Sequence, residues 1–313
     1  MIDTVIETSF EEMDKPLVSI LCNVYNHGPF LRKCLEGFVS QQTDFPFEIL
    51  IHDDASTDQS AAIIRDFEKS YPDLIKPIYQ AVNQYSQRVR ITISLQFPRA
   101  KGKYIAICEG DDYWTDPLKL QKQFDYMETH PDCTLCFTNA ITHWYNGKYP
   151  DKEFAVIEDR DYNGVELTRK WISPTCSFFF RSSIVPEYIT ICKNNPCIII
   201  GDSPIMLTCA KMGKIHGMSD ITCVYGKHEQ GWTQYSDANK TFRSARSWEA
   251  QRKAFGKDYY TVMTNILTGQ YLLAASRGLK EKNWLIVAKA IYRGVIRQPV
   301  AGIKSIIKLI KEC

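Results

Sequence analysis

No run of about 18 uninterrupted apolar residues occurs in this 313-residue chain, so no transmembrane helix is expected. The opening residues, MIDTVIETSFEEMDK, are acidic and contain no apolar core segment, so no secretory signal is expected either. Charge of one sign is not in excess: the net charge is only +2, which argues against nucleic acid as a partner and makes any basic surface a local one. No GxGxxG follows the first apolar run, which disfavours a nicotinamide dehydrogenase. Internal repeats and low-complexity tracts are missing as well. Cysteine is not scarce, but a disulfide framework is: the eleven cysteines are odd in number and scattered through apparent core strands (Cys22, Cys108, Cys136, Cys209 and Cys223). A reducing cytoplasm is the expected setting. Cys133 and Cys136 form a lone CxxC inside CTLCFTNA, which reads as buried strand rather than as half of a zinc site.

What is present is ordinary globular composition, 44% hydrophobic and 24% charged, in a chain long enough for one large domain or two smaller ones. LVSILCNVY (Leu17 to Tyr25) is a continuous apolar, β-branched run of the kind covered on both faces of a sheet. Asn26-His27-Gly28-Pro29 supplies a turn, and Leu31, Leu35, Phe38 and Val39 then recur with helical spacing. FEILIHDD (Phe47 to Asp54), a polar turn and a helix from Gln59 to Ser70 repeat the plan. GKYIAICEGDD (Gly102 to Asp112) is a third strand with acids at its end. A helix over LKLQKQFDYMETH, a strand at CTLCFTNA, a polar excursion over 146–170, a strand at SFFFRSSI and a helix starting near Asp202 follow. Beyond about Ser236 only helices are expected. The alternation predicts an α/β fold with a mostly parallel sheet flanked by helices, whose ligand binds at the carboxyl ends of the strands.

Two acidic turns lie at such strand ends. Glu109-Gly110-Asp111-Asp112 brings three carboxylates together, which is costly unless a cation intervenes; a solvated acidic turn is the alternative. In Asp53-Asp54-Ala55-Ser56-Thr57-Asp58, helix capping accounts for Ser56 to Asp58 but leaves Asp53 and Asp54 facing the same crevice.

VSILCNVYN, HDDASTD and AKGKYIAICEGDDYWTDPLKLQKQ, in that order, resemble the opening blocks of family 2 glycosyltransferases, and the similarity extends over roughly 17–235. The resemblance implies a GT-A fold, a nucleotide-binding half before an acceptor-binding half, and inverting transfer from a nucleotide diphosphate sugar, UDP-linked, to a hydroxyl of a glycan or lipid-linked acceptor. It implies Asn23 and Tyr25 lining the base pocket and Asp54 accepting a hydrogen bond from the base. Asp112 becomes the ligand of a divalent cation, Mn²⁺ or Mg²⁺, with Asp111 nearer the ribose or sugar. Ile200-Gly201-Asp202-Ser203 resembles the block supplying the catalytic base, which makes Asp202 the base, with a helix cap as its alternative. Val224-Tyr225-Gly226-Lys227-His228, then Gly231-Trp232, resembles the closing block, usually a Tyr-Arg pair followed by His. Gly226 and Lys227 depart from that wording, leaving Lys227 as a point charge for the diphosphate and His228 as a further metal ligand or phosphate contact. Trp114 and Thr175 match acceptor-facing positions, although core packing also accounts for Trp114.

A glycosidase would need only a pair of carboxylates flanking the scissile bond. A catalytically silent nucleotide-sugar-binding or scaffold protein of the same fold is the competing function. The chain is thus divided into an N-terminal extension (1–16), a glycosyltransferase domain (17–235) and a helical C-terminal region (236–313). The last of these ends in a basic amphipathic segment from Lys280. There Trp284, Ala288, Ile291, Tyr292 and Val295 form one stripe, Lys282, Lys289, Arg293 and Arg297 lie opposite, and the pattern repeats after Pro299. Such a segment suits the anionic inner face of a membrane or a helical cap, making the expected location cytoplasmic or peripheral on that membrane.

Overall fold

The computed structural model describes residues 15–199, 201–229, 231 and 236–296. Most of the N-terminal extension, Ile200, Trp232 and the tail from Arg297 onward lie outside the described residues. The chain forms two compact units that cut across the sequence boundary at 235. One comprises the residues up to Asn163 with Trp171–Pro186 and Cys209–Lys227; the other comprises Gly164–Lys170, Glu187–Thr208 and the chain from His228.

The first unit is built on one sheet. Strand β1 (Val18–Val24) is buried almost throughout, as its unbroken apolar run requires. Helix α1 (Gly28–Val39) starts at Pro29, whose ring suits a first turn, and buries Leu31, Cys34, Leu35 and Phe38. Next come β2 (Phe47–Asp53), α2 (Ser60–Ser70), β3 (Ile75–Tyr79), β4 (Tyr104–Ile107), β5 (Tyr113–Trp114), α3 (Lys119–Thr129) and β6 (Cys133–Trp144). The polar excursion after β6 contains β7 (Lys152–Glu153), β8 (Arg160–Tyr162) and the short helix α4 (Gly164–Lys170). Of SFFFRSSI only β9 (Phe179–Arg181) is strand, with single helical turns on either side. Helices α5 (Val185–Asn194) and α6 (Asp202–Met212) precede the long β10 (Lys214–Lys227).

The strand order is β3-β2-β1-β4-β9-β6-β10-β5, with β7 on β6 and β8 on β10. From β3 to β4 every pairing is parallel; β9 then runs antiparallel to both β4 and β6, and β10 returns parallel to β6. The half from β3 to β4 is therefore the parallel sheet that the pattern implies, and the second half is mixed. Strand β3 escapes the sequence reading because its pattern is weak and it carries Pro77, which an edge strand tolerates. Cys133 and Cys136 are both buried in β6, and Cys209 lies in a helix rather than a strand; the ten described cysteines are all free.

Under the sheet lies a buried cation. Lys119 is fully buried; its ammonium donates to Gln123 Oε1 at 2.6 Å and sits 4.3 Å from the centre of the Trp114 ring. Gln123 in turn donates to the carbonyls of Cys136 and Ser177, tying α3 to β6 and the turn before β9. Burial pushes the Lys119 ammonium below its ordinary value.

The second unit takes in α4, α5 from Glu187, α6 as far as Thr208, and α7 (Ala238–Phe255), α8 (Tyr260–Lys280) and α9 (Trp284–Ile291). Asp237 and Asn283 cap α7 and α9 by accepting from Lys240 N and Ile286 N. Small side chains (Ala238, Ala245, Ala274, Ala290) around Leu267 and Tyr271 let the helices close on one another. Helix α9 packs through Ile286, Val287 and Ala290. The stripe of Trp284, Ala288, Ile291 and Tyr292 does not pack inward: Trp284 is 66% and Tyr292 53% exposed, so the apolar face picked out in the sequence is the outward one.

If Lys119 acts chiefly by filling volume beneath Trp114, Lys119→Met should lower stability by less than about 1.5 kcal/mol, as a volume-conserving change. Lys119→Ala, which leaves a cavity, should cost about 2–5 kcal/mol. Urea unfolding midpoints check this; equal losses would mean that the charge, not the volume, is what the core uses.

Candidate active site

The carboxyl ends of β1, β2 and β4 converge on the acidic turns. Residue Asn26, just past β1, takes the left-handed conformation (φ 56°) that asparagine tolerates. This turn is laced to the one after β2: Asn26 N donates to Ser56 Oγ, His27 N to Ser60 Oγ and Gly28 N to Asp58 Oδ2, all at 2.8–2.9 Å. Asp58 also accepts from Ser60 N. Burial alone would raise the Asp58 carboxyl; the bonds from Ser60 and Gly28 outweigh it and hold the group below its ordinary value. The Ser56–Asp58 segment thus braces two loops as well as opening α2.

Asp54 is buried, and both its oxygens accept backbone donors, Oδ1 from Gln84 N at 2.6 Å and Oδ2 from Tyr85 N at 3.0 Å. Only its remaining lone pairs are left for a base. Its neighbour Asp53, 3% exposed, has an Oδ1 with no hydrogen-bond partner among the described residues, and burial pushes its carboxyl up against the bonds from Ser56. Asn23, at the end of β1, donates at 3.3 Å to both Thr92 Oγ1 and Glu109 Oε1 and accepts from Gln96 Nε2. Thr92 and Gln96 belong to a π-helical turn (Thr92–Gln96), a form that recurs at functional sites. Tyr25 is 47% exposed.

After β4 the chain turns tightly, Asp112 N donating to Glu109 O. Asp112 is 5% exposed and accepts one hydrogen bond, from Gly226 N of β10 at 2.7 Å. Burial, then the repulsion of Asp111 and Glu109, pushes its carboxyl well above the usual range in spite of that bond. A Cβ on Gly226 would stand 2.2 Å from the Asp111 carbonyl oxygen and 2.7 Å from the Tyr145 ring, whose hydroxyl donates to that same carbonyl. This backbone leaves no room for a side chain at 226. Lys227 follows, half-buried between the rings of Trp144 and Tyr225 at 5.8 and 5.1 Å; burial lowers its ammonium and Asp112 opposes the shift.

Trp114 is 3% exposed, with Nε1 donating to Cys176 O at 2.8 Å, Phe38 at 4.7 Å and Lys119 over its ring. It is core in this structure, since no ring face remains for a sugar, and the acceptor-facing expectation is corrected accordingly. Thr175 opens the turn carrying that carbonyl. Asp202 and His228 belong to the second unit. Asp202 opens α6 and accepts from Ser203 N at 2.6 Å, while Ser203 Oγ donates to Gln251. His228 O accepts from Gly231 N. Among the described residues no three His, Cys, Asp or Glu side chains form a metal cage.

The glycosyl transferase family 2 model matches residues 19–187. This chain belongs to that family. An uncharacterized protein of Mycobacterium tuberculosis is 36% identical over 227 residues, which cover 71% of this chain and 63% of that relative, so the chain spans less than two thirds of its length. Among solved structures, Staphylococcus aureus TarS 1–349 in complex with UDP-GlcNAc superposes with a TM-score of 0.62 at 16% identity, over 90% of this chain and 81% of that one. The mannosyltransferase PcManGT of Pyrobaculum calidifontis, in complex with GDP-Man and Mn²⁺, gives 0.55 at 15% identity, over 94% and 87%. These two likenesses show the GT-A type of fold.

Gln96 and Tyr145 are the residues around these turns that sequence reasoning passed over, being joined to them only by tertiary contact. Asp53, Glu109 and Gly226 stood out in the sequence but were given no role there. Gly226→Ala should cost about 1–3 kcal/mol, as an overpacked backbone contact. A urea midpoint like that of the wild type would show that β10 shifts freely away from the acidic turn.

Proposed function

We propose that this chain is an inverting glycosyltransferase moving a sugar from a UDP-linked donor to a hydroxyl of a glycan or lipid-linked acceptor. The observation carrying this reading is the buried Asp112 carboxylate, flanked by Asp111 and Glu109 and held by a single backbone donor, in a chain of family 2. Carboxylate oxygens too few for a closed cage suit Mg²⁺ or Mn²⁺, whose shells are completed by water and substrate phosphates. Asp112 would hold that ion and His228 would complete its shell. Bound there, the ion would neutralise the diphosphate leaving group. Asp111 would turn toward the ribose or sugar, and Lys227 would present a point charge to the diphosphate. Asn23, Tyr25 and Asp54 would line the base pocket; acceptor oxygens at Asp53 and Asp54 suit a ring N–H such as that of uracil.

Transfer is then one displacement. The acceptor oxygen bonds to the anomeric carbon as the bond from that carbon to the phosphate oxygen breaks, and Asp202 takes the hydroxyl proton. Thr175 would contact the acceptor. A peripheral position on an anionic membrane is supported by the outward stripe of Trp284, Leu285, Ile291 and Tyr292 beside Lys282 and Lys289.

Two variants test the chemistry. Asp112→Asn keeps an acceptor for Gly226 N but loses the charge, so Mn²⁺-dependent UDP affinity should fall roughly a hundredfold by calorimetry. Its metal-free melting temperature should not fall, because one of three like charges is gone. Asp202→Asn should reduce turnover by about 10² to 10⁴ with UDP affinity unchanged, and an α-linked donor should give a β-linked product. A fully active Asp202→Asn protein would remove the base from this reading; a protein that binds UDP-sugars but never turns over would point to the silent binding protein. For the membrane, Trp284→Asp with Tyr292→Asp should abolish co-sedimentation with phosphatidylglycerol vesicles, and unchanged sedimentation would sink that role.

A further inference from the structure

The helical unit contains a cleft of about 600 Å³, a size typical of ligand sites, formed by the C-terminal end of α5, by α7 and the start of α8, and by the turn after α9. Its charge is lopsided. Arg246, Arg252, Lys253, Lys257 and Arg293 line it, and Glu249 is the one acid among the lining residues. That acid is committed: its Oε2 accepts from Arg293 Nη1 and from the Tyr271 hydroxyl, both at 2.8 Å, and stands 3.4 Å from Arg246 Nε. Glu249 thus orients two guanidinium groups while leaving the cationic surplus in place.

The remaining arms are also braced. Arg252 Nη1 donates to Thr264 Oγ1 at 2.7 Å with its guanidinium 4.6 Å from the Tyr260 ring centre, and Arg246 Nη2 contacts Cys197 Sγ. Gly256 ends α7 with φ 85°, a left-handed conformation that glycine takes without strain, and the sharp reversal returns Lys257 and Tyr260 to the same cleft as Lys253. Gathering five cations around one acid, among the described lining residues, is unfavourable by itself. Planar guanidinium forks and flexible ammonium groups together are the equipment that binds phosphate oxygens.

We propose that this cleft binds a multiply charged, phosphate-bearing anion, at a site separate in sequence from the acidic turns and from any donor contact described above. Five cations around one acid, among the described lining residues, suit an anion of more than one charge, which a phosphate supplies. The phosphate can come from a soluble phosphorylated molecule or from a lipid headgroup; Tyr292, exposed next to Arg293, keeps the second source in view.

The experiment uses the full chain and Lys253→Glu/Lys257→Glu, both positions being exposed, with Lys253→Gln/Lys257→Gln as a second variant should charge reversal impair folding. Inorganic pyrophosphate is titrated by calorimetry with saturating UDP and Mn²⁺ present, so that the donor site is filled. Phosphatidylglycerol and phosphatidylcholine vesicles are tested by sedimentation. Pyrophosphate binding that weakens by roughly tenfold or more in the variants, and that fades with added salt, supports a soluble phosphate ligand. Weak pyrophosphate binding with loss of phosphatidylglycerol association in the variants supports a headgroup. Wild-type and variant chains that bind both probes equally, or neither, overturn the proposal.

Discussion

The Asp112 carboxylate, buried beside two other acids and held by the N–H of Gly226, is the constraint around which the first unit is arranged. A carboxylate in that position is expensive, since burial and like charge both favour its protonated form. Three elements meet there: β4 delivers the acidic turn, β10 brings a glycine against the Asp111 carbonyl, and the hydroxyl of Tyr145, just past β6, donates to that carbonyl. The long register of β10 along β6, from Lys214 to Lys227, carries Gly226 to that point, so the length of those strands has a local purpose at their ends.

The rest of the sheet secures the loops around this edge by hydrogen bonds between strand ends rather than by apolar contact. Asn23 joins β1 to Glu109 and to the turn at Thr92, Asp58 joins the loop after β1 to the loop after β2, and Asp54 holds the backbone of Gln84 and Tyr85. Asn23 is half-buried and Asp54 buried, so their bonds are worth more than they would be in water, while the Asp58 bonds lie at the exposed end of the turn. A site built this way has its donors and acceptors oriented before a ligand arrives. The second unit follows a different economy: small residues pack its helices closely, and charge is gathered in a cleft instead of being spread over the surface. A near-neutral chain can therefore still carry strong local fields of both signs.

Much of this was legible beforehand. The β1, β2 and β4 strands announce themselves by continuous apolar runs because they are covered on both faces, and the acids at their ends stand out because nothing in a core strand calls for them. Amphipathic spacing located α1, because only one of its faces packs on the core. The short edge strand β3, with its proline, left little pattern to detect, since an edge strand that is only partly buried needs little apolar sequence, whereas the run SFFFRSSI announced β9 but overstated its length. The stripe on α9 was seen, but periodicity reports that a face is apolar, not whether it packs inward; there the buried face turned out to be Ile286, Val287 and Ala290.

By itself, the sequence determined the family, the parallel half of the sheet and the positions of the acidic turns, because local runs and ordered motifs encode them. Only the tertiary structure decided which groups serve those turns. Gly226 is 114 residues from Asp112 and reaches it through β-sheet register. Asp54 proved to be engaged by Gln84 and Tyr85, Asp53 to be left with an open acceptor, and Trp114 to be enclosed over Lys119. The basic cleft likewise draws Lys253, Lys257 and Arg293 from separate segments. Such assignments depend on which distant atoms compete for the same lone pair or ring face, and that competition exists only once the chain has folded.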